Sequence, residues 1–364
     1  MKLFRRRERK SSAPLVAVSD LRTARWSGAG AMAREGFERN VVAYRCVRMV
    51  SEAAASVGFK ADADDDALAR LIARPNSAQG GPDLLEGLYA HLSVSGDTFL
   101  EAVAIDGEVR ELHVLRPDRI KVLKGARGWP IGWEHRVGSD VRRILREADG
   151  FLPVLHMRMF NPVDDYQGHS PLEAAARAVD LHNASGAWSK ALIDNAARPS
   201  GALIYAGAQG LTDEQLGELR EDLARLYQGA GNAGRPMLLT GGLEWKPMSL
   251  SPADMDFSEM RNMSAREIAL AFGVPPMLLG IPGDATYANY REANAAFWRL
   301  TILPLVNRAA RAISGWLGER VGGGLVPDLE GVPAFQEERA AQWQRIEAAS
   351  FLTTEEKRRL AGIG

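Results

Sequence analysis

The chain has one cysteine, Cys46, in 364 residues. An intramolecular disulfide is therefore impossible, and no oxidising compartment is needed for folding. It also lacks a charge excess: 45 Lys plus Arg stand against 46 Asp plus Glu, a formal net charge of −1. A protein that grips nucleic acid over a broad face normally carries a large basic surplus. The balance argues against a tight DNA-binding regulator and leaves transient contact with DNA open. No stretch approaches the roughly 20 apolar residues of a membrane helix. The first ten residues, Met1 to Lys10, are basic, but no apolar run follows them, so no signal peptide is expected. Missing too are a Gly-x-x-x-x-Gly-Lys-Ser/Thr phosphate loop and a Gly-x-Ser-x-Gly nucleophile turn. Gly28-Ala-Gly30-Ala-Met-Ala33 matches a dinucleotide fingerprint only superficially, because Arg22–Ser27 is too polar to be the preceding strand.

What is present is ordinary core material. Hydrophobic residues make up 46% and charged residues 25%, enough for two or three folding units or one elongated one. The fold class expected is α+β and helix-rich. Residues 1–38, with six basic side chains in Lys2–Lys10 and little periodicity, are read as a mobile arm. From Asn40 to about Val57, Val41, Tyr44, Val47, Val50 and Ala54 recur at helical spacing. The acidic stretch from Asp62 is the start of a short helix, Ala67–Ala73; a metal site at Asp64, Asp65 and Asp66 is the competing reading. Asp83 with Glu86 suggests a capping-box start for a helix to about Ser93. Strands follow at Thr98–Ile105 and Val109–Leu115 around an Asp106-Gly107 turn, then at Ile120–Lys124, Ile131–Val137 and Val154–Met159.

After about Asn161 the character changes. Ser170-Pro171-Leu172-Glu173 combines an N-cap, proline at the first helical position and a capping-box glutamate. The alanine-rich helix that follows, to about Ala196, would be roughly 40 Å long and suits close packing against other helices. Residues 199–248 read as a small unit: strand Ala202–Tyr205, a helix from Thr212 to Tyr227, and strands near Met237–Thr240 and Leu243–Met248. Ser251-Pro252 opens a second long helix through Phe272. The run Gly273 to Gly283 cannot be helical throughout. A third long helix, about Tyr287 to Trp316, holds Pro304 and should kink there. An amphipathic helix over Phe335–Phe351 and a short one capped by Thr353 end the chain.

The six histidines, His91, His113, His135, His156, His169 and His182, lie in the first half without metal-ligand spacing. His113, His135 and His156 fall on predicted strands and could converge. A cytosolic enzyme with a small-molecule site in this β-rich domain is therefore the alternative function. Nothing in the sequence assembles a nucleophile, a base and an oxyanion hole, and no cofactor or metal is implied.

The second half resembles the portal proteins of tailed bacteriophages with long non-contractile tails, and those of phage-derived gene transfer agents. The resemblance is carried by His169-Ser-Pro-Leu-Glu-Ala-Ala175 and above all by Phe272-Gly-Val-Pro-Pro-Met-Leu-Leu-Gly280. Thr286-Tyr-Ala-Asn289 and Asn294-Ala-Ala-Phe-Trp298 follow it. Val41–Val57 and Ser95-Gly-Asp-Thr-Phe-Leu-Glu101 extend it, so that it covers roughly residues 40–320. It implies a dodecameric ring of this chain at the unique capsid vertex, a conduit for double-stranded DNA during packaging and ejection. Implied partners are the major capsid protein, the large terminase and a head–tail adaptor. No enzyme activity and no membrane are implied. The parts would be a wing (39–168), a first stem helix (169–198), a clip (199–250) and a second stem helix (251–272). A tunnel loop (273–290), a kinked wing helix with its connector (291–332) and a short crown (333–364) complete it.

Under this resemblance Asp284, Thr286, Tyr287 and Asn289 face the DNA, with Gly280 and Gly283 letting the loop shift. The competing reading is that Tyr287 and Asn289 simply start the next helix. Asp254, Asp256 and Glu259 either line the channel and repel phosphate, or serve as acidic residues near a helix N-terminus. Glu218, Arg220, Glu221 and Arg225 on one charged helix are candidates for docking the motor or an adaptor, a solvated face being the alternative. The protein would reside at the portal vertex of a virion or gene-transfer-agent particle, made in a bacterial cytoplasm.

Overall fold

The computed structural model describes residues 28–62, 64–194, 201–205, 212, 214–215, 217–219, 221, 243–247, 257–283 and 287–361. The N-terminal segment is helical where it is described. Helix α1 (Ala29–Met32) runs into a π-turn over Ala33–Glu38, and Met32 is buried. The mobile arm expected over 1–38 is therefore replaced from Ala29 onward by helix. The glycines of the superficial dinucleotide match merely open that helix.

Helix α2 (Val41–Ala55) is capped by Asn40, whose carboxamide oxygen accepts from the amides of Val42 and Ala43. Its buried face, with Ala43, Cys46, Val47, Val50 and Ala54, meets Leu84, Leu85, Leu88, Tyr89 and Leu92 of helix α4 (Gly81–Ser95) in one core. Each of the valine and leucine side chains contributes roughly 1.5–3 kcal/mol by leaving water. Burial pushes the Cys46 thiol up to about 12, which makes it a small core hydrophobe rather than a nucleophile. Gly80, not Asp83, is the N-cap of α4. The carboxylate of Asp83 sits at N3 and accepts from the Gly80 amide at 3.1 Å, and Gly81 packs where an added Cβ would lie 2.7 Å from the Ile72 carbonyl oxygen.

Between α2 and α4 lie strand β1 (Phe59–Ala61) and helix α3 (Ala67–Ala73). The acidic residues before α3 diverge rather than cluster. Asp65 accepts from the Ala67 amide, Asp66 pairs with Arg70, and Asp62 accepts from the Gly324 amide.

Two three-stranded antiparallel sheets follow. One has the order β3-β2-β7, from β2 (Asp97–Ile105), β3 (Glu108–Leu115) and β7 (Val154–Arg158). The other has the order β4-β5-β6, from β4 (Ile120–Lys124), β5 (Pro130–Val137) and β6 (Asp140–Leu145). The β2–β3 turn has Asp106 at φ 54° and Gly107 at φ 83°, the pair of left-handed residues that a type I′ hairpin demands. Phe99, Leu115, Trp133, Ile144 and Val154 form a second, smaller core between the sheets. Glu101 and Arg142 clasp them with two contacts of 2.7 and 2.8 Å.

The long helix expected from Pro171 comes in two pieces, α5 (Pro171–Ala174) and α6 (Ala176–Asp194). Ala175 breaks it, with ψ near zero. Ser170 accepts from the Glu173 amide as expected, but the Glu173 carboxylate turns to His169 instead of closing the capping box. Strands β8 (Gly201–Tyr205) and β9 (Leu243–Pro247) pair antiparallel. Helix α7 spans Phe257–Ala271 and packs on α6. Helix α8 (Tyr287–Phe297), a π-turn (Trp298–Ile302) and helix α9 (Leu303–Val321) make the third long helix. Its irregularity lies one turn before Pro304, because the proline cannot donate to the carbonyl of Leu300.

Helix α9 buries a stripe of Val306, Ala309, Ala310, Ile313 and Leu317 and is anchored at its C-terminal end. Arg320 pairs with Asp149 and Glu147 at 2.6 and 2.9 Å, and its guanidinium sits over the Phe151 ring. The glycines at 322–324 then let the chain pass against Asp62 and Asp65 to strand β10 (Leu325–Pro327), which pairs with β1. Helix α10 (Gln336–Ala348) stops three residues short of the expected end, and Thr353 and Glu356 form a full capping box for α11 (Thr354–Leu360).

Gly96 ends α4 at φ 77°, where an added Cβ would lie 2.7 Å from the Gly168 carbonyl carbon. Gly138 has φ 60° with nothing within 4 Å of the same position. Gly138→Ala is therefore expected to cost about 1 kcal/mol, the left-handed penalty alone, and Gly96→Ala about 3 kcal/mol. Equal urea midpoints for the two variants would contradict the close-approach argument.

Candidate functional site

The paired helices α6 and α7 bury mostly small groups against each other. On α6, Ala176, Ala178, Val179 and Ser185 are buried, and on α7 Ser264, Ala265, Ile268 and Ala269. The serine hydroxyls are satisfied within their own helices, Ser185 on the Leu181 carbonyl and Ser264 on the Met260 carbonyl, so they can be buried at little cost. On the solvent side, Leu181, Glu259, Met260, Met263 and Glu267 border an open groove of about 290 Å³.

One polar junction joins both helices to α2. The Asn40 Nδ2 donates to Asn183 Oδ1 at 2.9 Å and lies 3.2 Å from His182 Nδ1. From α7, Arg261 Nε donates to His182 Nε2 at 3.3 Å. A neutral imidazole has one acceptor nitrogen, so His182 serves one of these donors at a time. A doubly protonated ring would serve neither and would set a second cation beside Arg261. Burial first, and the Arg261 charge second, accordingly hold His182 below its ordinary value of 6.5.

After α7 the chain turns through two successive helix stops of one design. Gly273, at φ 64°, follows α7; the Val274 amide reaches the Ala269 carbonyl and the Gly273 amide that of Leu270. Gly280, at φ 71°, follows the single 3-10 turn Pro276–Leu279; the Ile281 amide reaches the Pro276 carbonyl and the Gly280 amide that of Met277. Both are Schellman stops, which place glycine at the left-handed position. Thr301 Oγ1 donates to the Gly273 carbonyl at 2.7 Å, and Arg266 donates to that of Pro282. Open space surrounds Gly280, whereas Gly283 lies against the Arg266 guanidinium.

The other expected site residues fall as follows. Asp284 and Thr286 lie outside the described residues. Tyr287 opens α8, its side chain not among those described, and Asn289 is exposed on the first helical turn. Asp254 and Asp256 lie outside the described residues; Glu259 is exposed in the first turn of α7. Glu218 and Glu221 are exposed, and Arg220 and Arg225 lie outside the described residues.

The strand histidines do not converge. His113 pairs with Glu111 at 2.9 Å, and His156 with Asp97 at 2.7 Å. Neither His113 nor His135 borders the cavity that His156 lines. Among the described residues no group of three or more His, Cys, Asp or Glu side chains is placed to hold a metal. The Asn40–His182–Arg261 junction and the Thr301 contact, by contrast, carry no local sequence signal, because their partners are far apart in the chain.

A family model described as phage portal protein matches residues 41–362. The chain belongs to the phage portal protein family. Among solved structures, this portal-family chain is 48% identical to a chain in the neck of an empty gene transfer agent particle, with TM-score 0.73, covering 95% of this chain and 98% of that one. A chain from the neck of the native particle, computed with C12 symmetry, is 50% identical at TM-score 0.72, covering 92% of this chain and 93% of that one. An HK97-family portal protein from Corynebacterium diphtheriae shares the fold at TM-score 0.61 and 12% identity, covering 85% and 98% of the two chains. Among curated relatives, an uncharacterised Rickettsia bellii protein is 35% identical over 340 residues, 90% of this chain and 88% of its own. The portal protein of Enterobacteria phage HK97 is 22% identical over 293 residues, 75% of this chain and 66% of its own.

For this portal-family chain the junction gives a pH dependence. With the folded pKa of His182 lowered, the unfolded chain takes up the proton first as pH falls below about 6.5. The stabilisation is complete above that value and is lost toward the lower folded value. The denaturation free energy is expected to decline from about pH 7 to pH 5, and His182→Gln to flatten part of that slope. His91 and His135 are shifted the same way and would keep a residue of it. Identical slopes in both proteins would remove His182 from the account.

Proposed function

We propose that this chain is the portal of a tailed-phage-like or gene-transfer-agent particle, assembling as a ring of about twelve copies at the capsid vertex and passing double-stranded DNA. The observation that carries this is the 48–50% identity, over 92–95% of the chain, to chains in gene transfer agent necks, one of them computed with C12 symmetry. Physical features support it. Ring neighbours are identical, so each helix must fit a different face of its own copy, and the exposed apolar side chains of Met263, Leu270 and Leu300 are surfaces a monomer gains nothing by leaving wet. A net charge of −1 suits a duplex that must slide, since many phosphate contacts would hold it.

In this reading 39–168 is the wing, α5–α6 and α7 are the stem, and 199–250 is the clip that meets the terminase and an adaptor. The segment 273–290 is the tunnel loop, with Gly280, Gly283, Asp284, Thr286, Tyr287 and Asn289 nearest the DNA. Asp254, Asp256 and Glu259 face the channel, and Glu218, Arg220, Glu221 and Arg225 serve docking. The first turn of α8 holds Tyr287 and Asn289, so these two act from a helix end rather than from a free loop. The chain itself is structural and leaves ATP hydrolysis to the motor.

Native mass spectrometry with negative-stain imaging of the purified chain is expected to show rings of about a dozen copies around a hole roughly 20 Å or more across. Compact monomers at every concentration, with no ring on addition of capsid or adaptor, would overturn the assignment. Deleting residues 281–286 is expected to leave rings intact while lowering the DNA content of particles at least severalfold. Particles filled normally by that variant would move the DNA-facing loop elsewhere.

A further inference from the structure

The wing carries a preformed pocket that the portal reading does not use. It has a volume of about 570 Å³ and lies between the β4–β5 hairpin and the loop after β7. Its walls are aromatic: Trp129, Trp133, His156 and Tyr166. The walls are also fixed. The Tyr166 hydroxyl donates to the Gly128 carbonyl at 2.5 Å, binding the loop to the hairpin. His156 is held on Asp97, whose two carboxylate oxygens both accept from the Gly168 amide at 3.0 Å. The His156 ring stacks on Phe99 at 4.4 Å and meets the edge of Trp133 at 5.0 Å. A site locked in this way loses little conformational entropy when it is filled.

Three features define the occupant. The first is unused binding capacity: Trp133 Nε1 is buried without an acceptor, and Trp129 stands at the rim 77% exposed. The second is charge. Arg127 and Arg158 face the pocket against the single carboxylate of Asp165. Arg158 is oriented there by donating to the Asp165 backbone carbonyl, while Arg127 is exposed and has no ion-pair partner among the described residues. The third is extent. Phe160, 81% exposed, borders an adjoining cavity of about 490 Å³ that shares His156, Arg158 and Asp165 with this one, so the recess continues beyond what one small molecule would fill.

We propose that this pocket docks an acidic peptide segment of a partner protein. An aromatic or large aliphatic side chain of the segment would lie against Trp129, beside the Tyr166 ring whose one face Lys124 covers, and flanking carboxylates would meet Arg127 and Arg158. Aromatic walls supply the anchoring area, and the arginine forks read carboxylates bidentately. This goes beyond the portal assignment and does not depend on it.

The test uses the full-length chain and a fluorescein-labelled pentapeptide, Glu-Glu-Phe-Glu-Glu, followed by anisotropy beside its Lys-Lys-Phe-Lys-Lys counterpart. Saturable binding of the acidic peptide with a dissociation constant of about 1 mM or tighter is expected. Binding of the lysine peptide should be at least about tenfold weaker. Arg127→Glu and Trp129→Ala change exposed side chains, so each should weaken acidic-peptide binding about tenfold with an unchanged thermal melt. Absence of saturable binding up to about 1 mM, equal binding of the two peptides, or undiminished binding by both variants would overturn the proposal. So would displacement of the acidic peptide by oligothymidylate, which would make the pocket a nucleic-acid site.

Discussion

The missing amide hydrogen of Pro304 sets the geometry on which the second half of the molecule depends. A helix passing through that position would leave the Leu300 carbonyl without its donor and press the pyrrolidine ring on it. The chain answers with a π-turn over Trp298–Ile302, in which the Leu303 amide reaches back to the Trp298 carbonyl. One extra residue per turn rotates everything before it. Ile302 stays in the core and Phe297 remains buried, while Leu300 is turned out to solvent. Thr301 is brought to the Gly273 carbonyl, and Trp298 meets the edge of Phe335. A straight α-helix through the same residues would have carried a different set to the loop after α7. The proline thus fixes how the longest helix among the described residues addresses both that loop and the C-terminal helices.

The sequence discloses elements whose ends are marked by local chemistry. Ala67–Ala73 and Ile120–Lys124 fall on the expected residues, and the Asp106-Gly107 turn dictates its hairpin. The Gly273 and Gly280 stops were legible as breaks because only glycine takes the left-handed position without strain. What escaped has non-local causes. Strand β6 is mostly exposed, with Arg142 and Arg143 in its middle, and alternation fades when both faces of a strand meet water. Strands β1 and β10 are three residues each, too short for any period, and the chain reaches β10 through glycines at 322–324 that lie tight against Asp62 and Asp65. The break at Ala175 sits between alanines, the best helix formers, so propensity offers no warning of it. The helix at Ala29–Glu38 has few apolar positions, and one buried methionine makes no pattern.

The candidate site shows the same division. Family resemblance at Phe272–Gly280 singled out the loop, and the glycines gave its punctuation. The contacts that hold it did not show, because Thr301 and Arg266 reach it from other elements. The same is true of His182. A lone histidine in an alanine-rich helix carries no signal until folding sets Asn40 and Arg261 on either side of it. The strand histidines failed in the opposite sense: their shared region suggested convergence, yet each was taken by the nearest carboxylate or left on another sheet.

Under the proposed role, the way the 273–283 segment is attached follows from magnitudes. Val274 is buried in the core and Leu278 and Leu279 pack against it, so the part able to yield is 280–283, whose side-chain tie is the Arg266 hydrogen bond to the Pro282 carbonyl, worth about 1.5–3 kcal/mol for a charged donor. Gly280 has no neighbour that a shift would strike. Helix α9, by contrast, is held by five buried side chains, of which Val306, Ile313 and Leu317 each contribute roughly 1.5–3 kcal/mol, and by the Arg320 pairs. Displacing residues 280–283 therefore costs less than displacing the helix that positions the segment. A conduit that meets a helical duplex with identical subunits presents each copy with a different stretch of backbone. Loops that yield individually, on helices that do not, let every copy meet its own stretch while the ring keeps its packing.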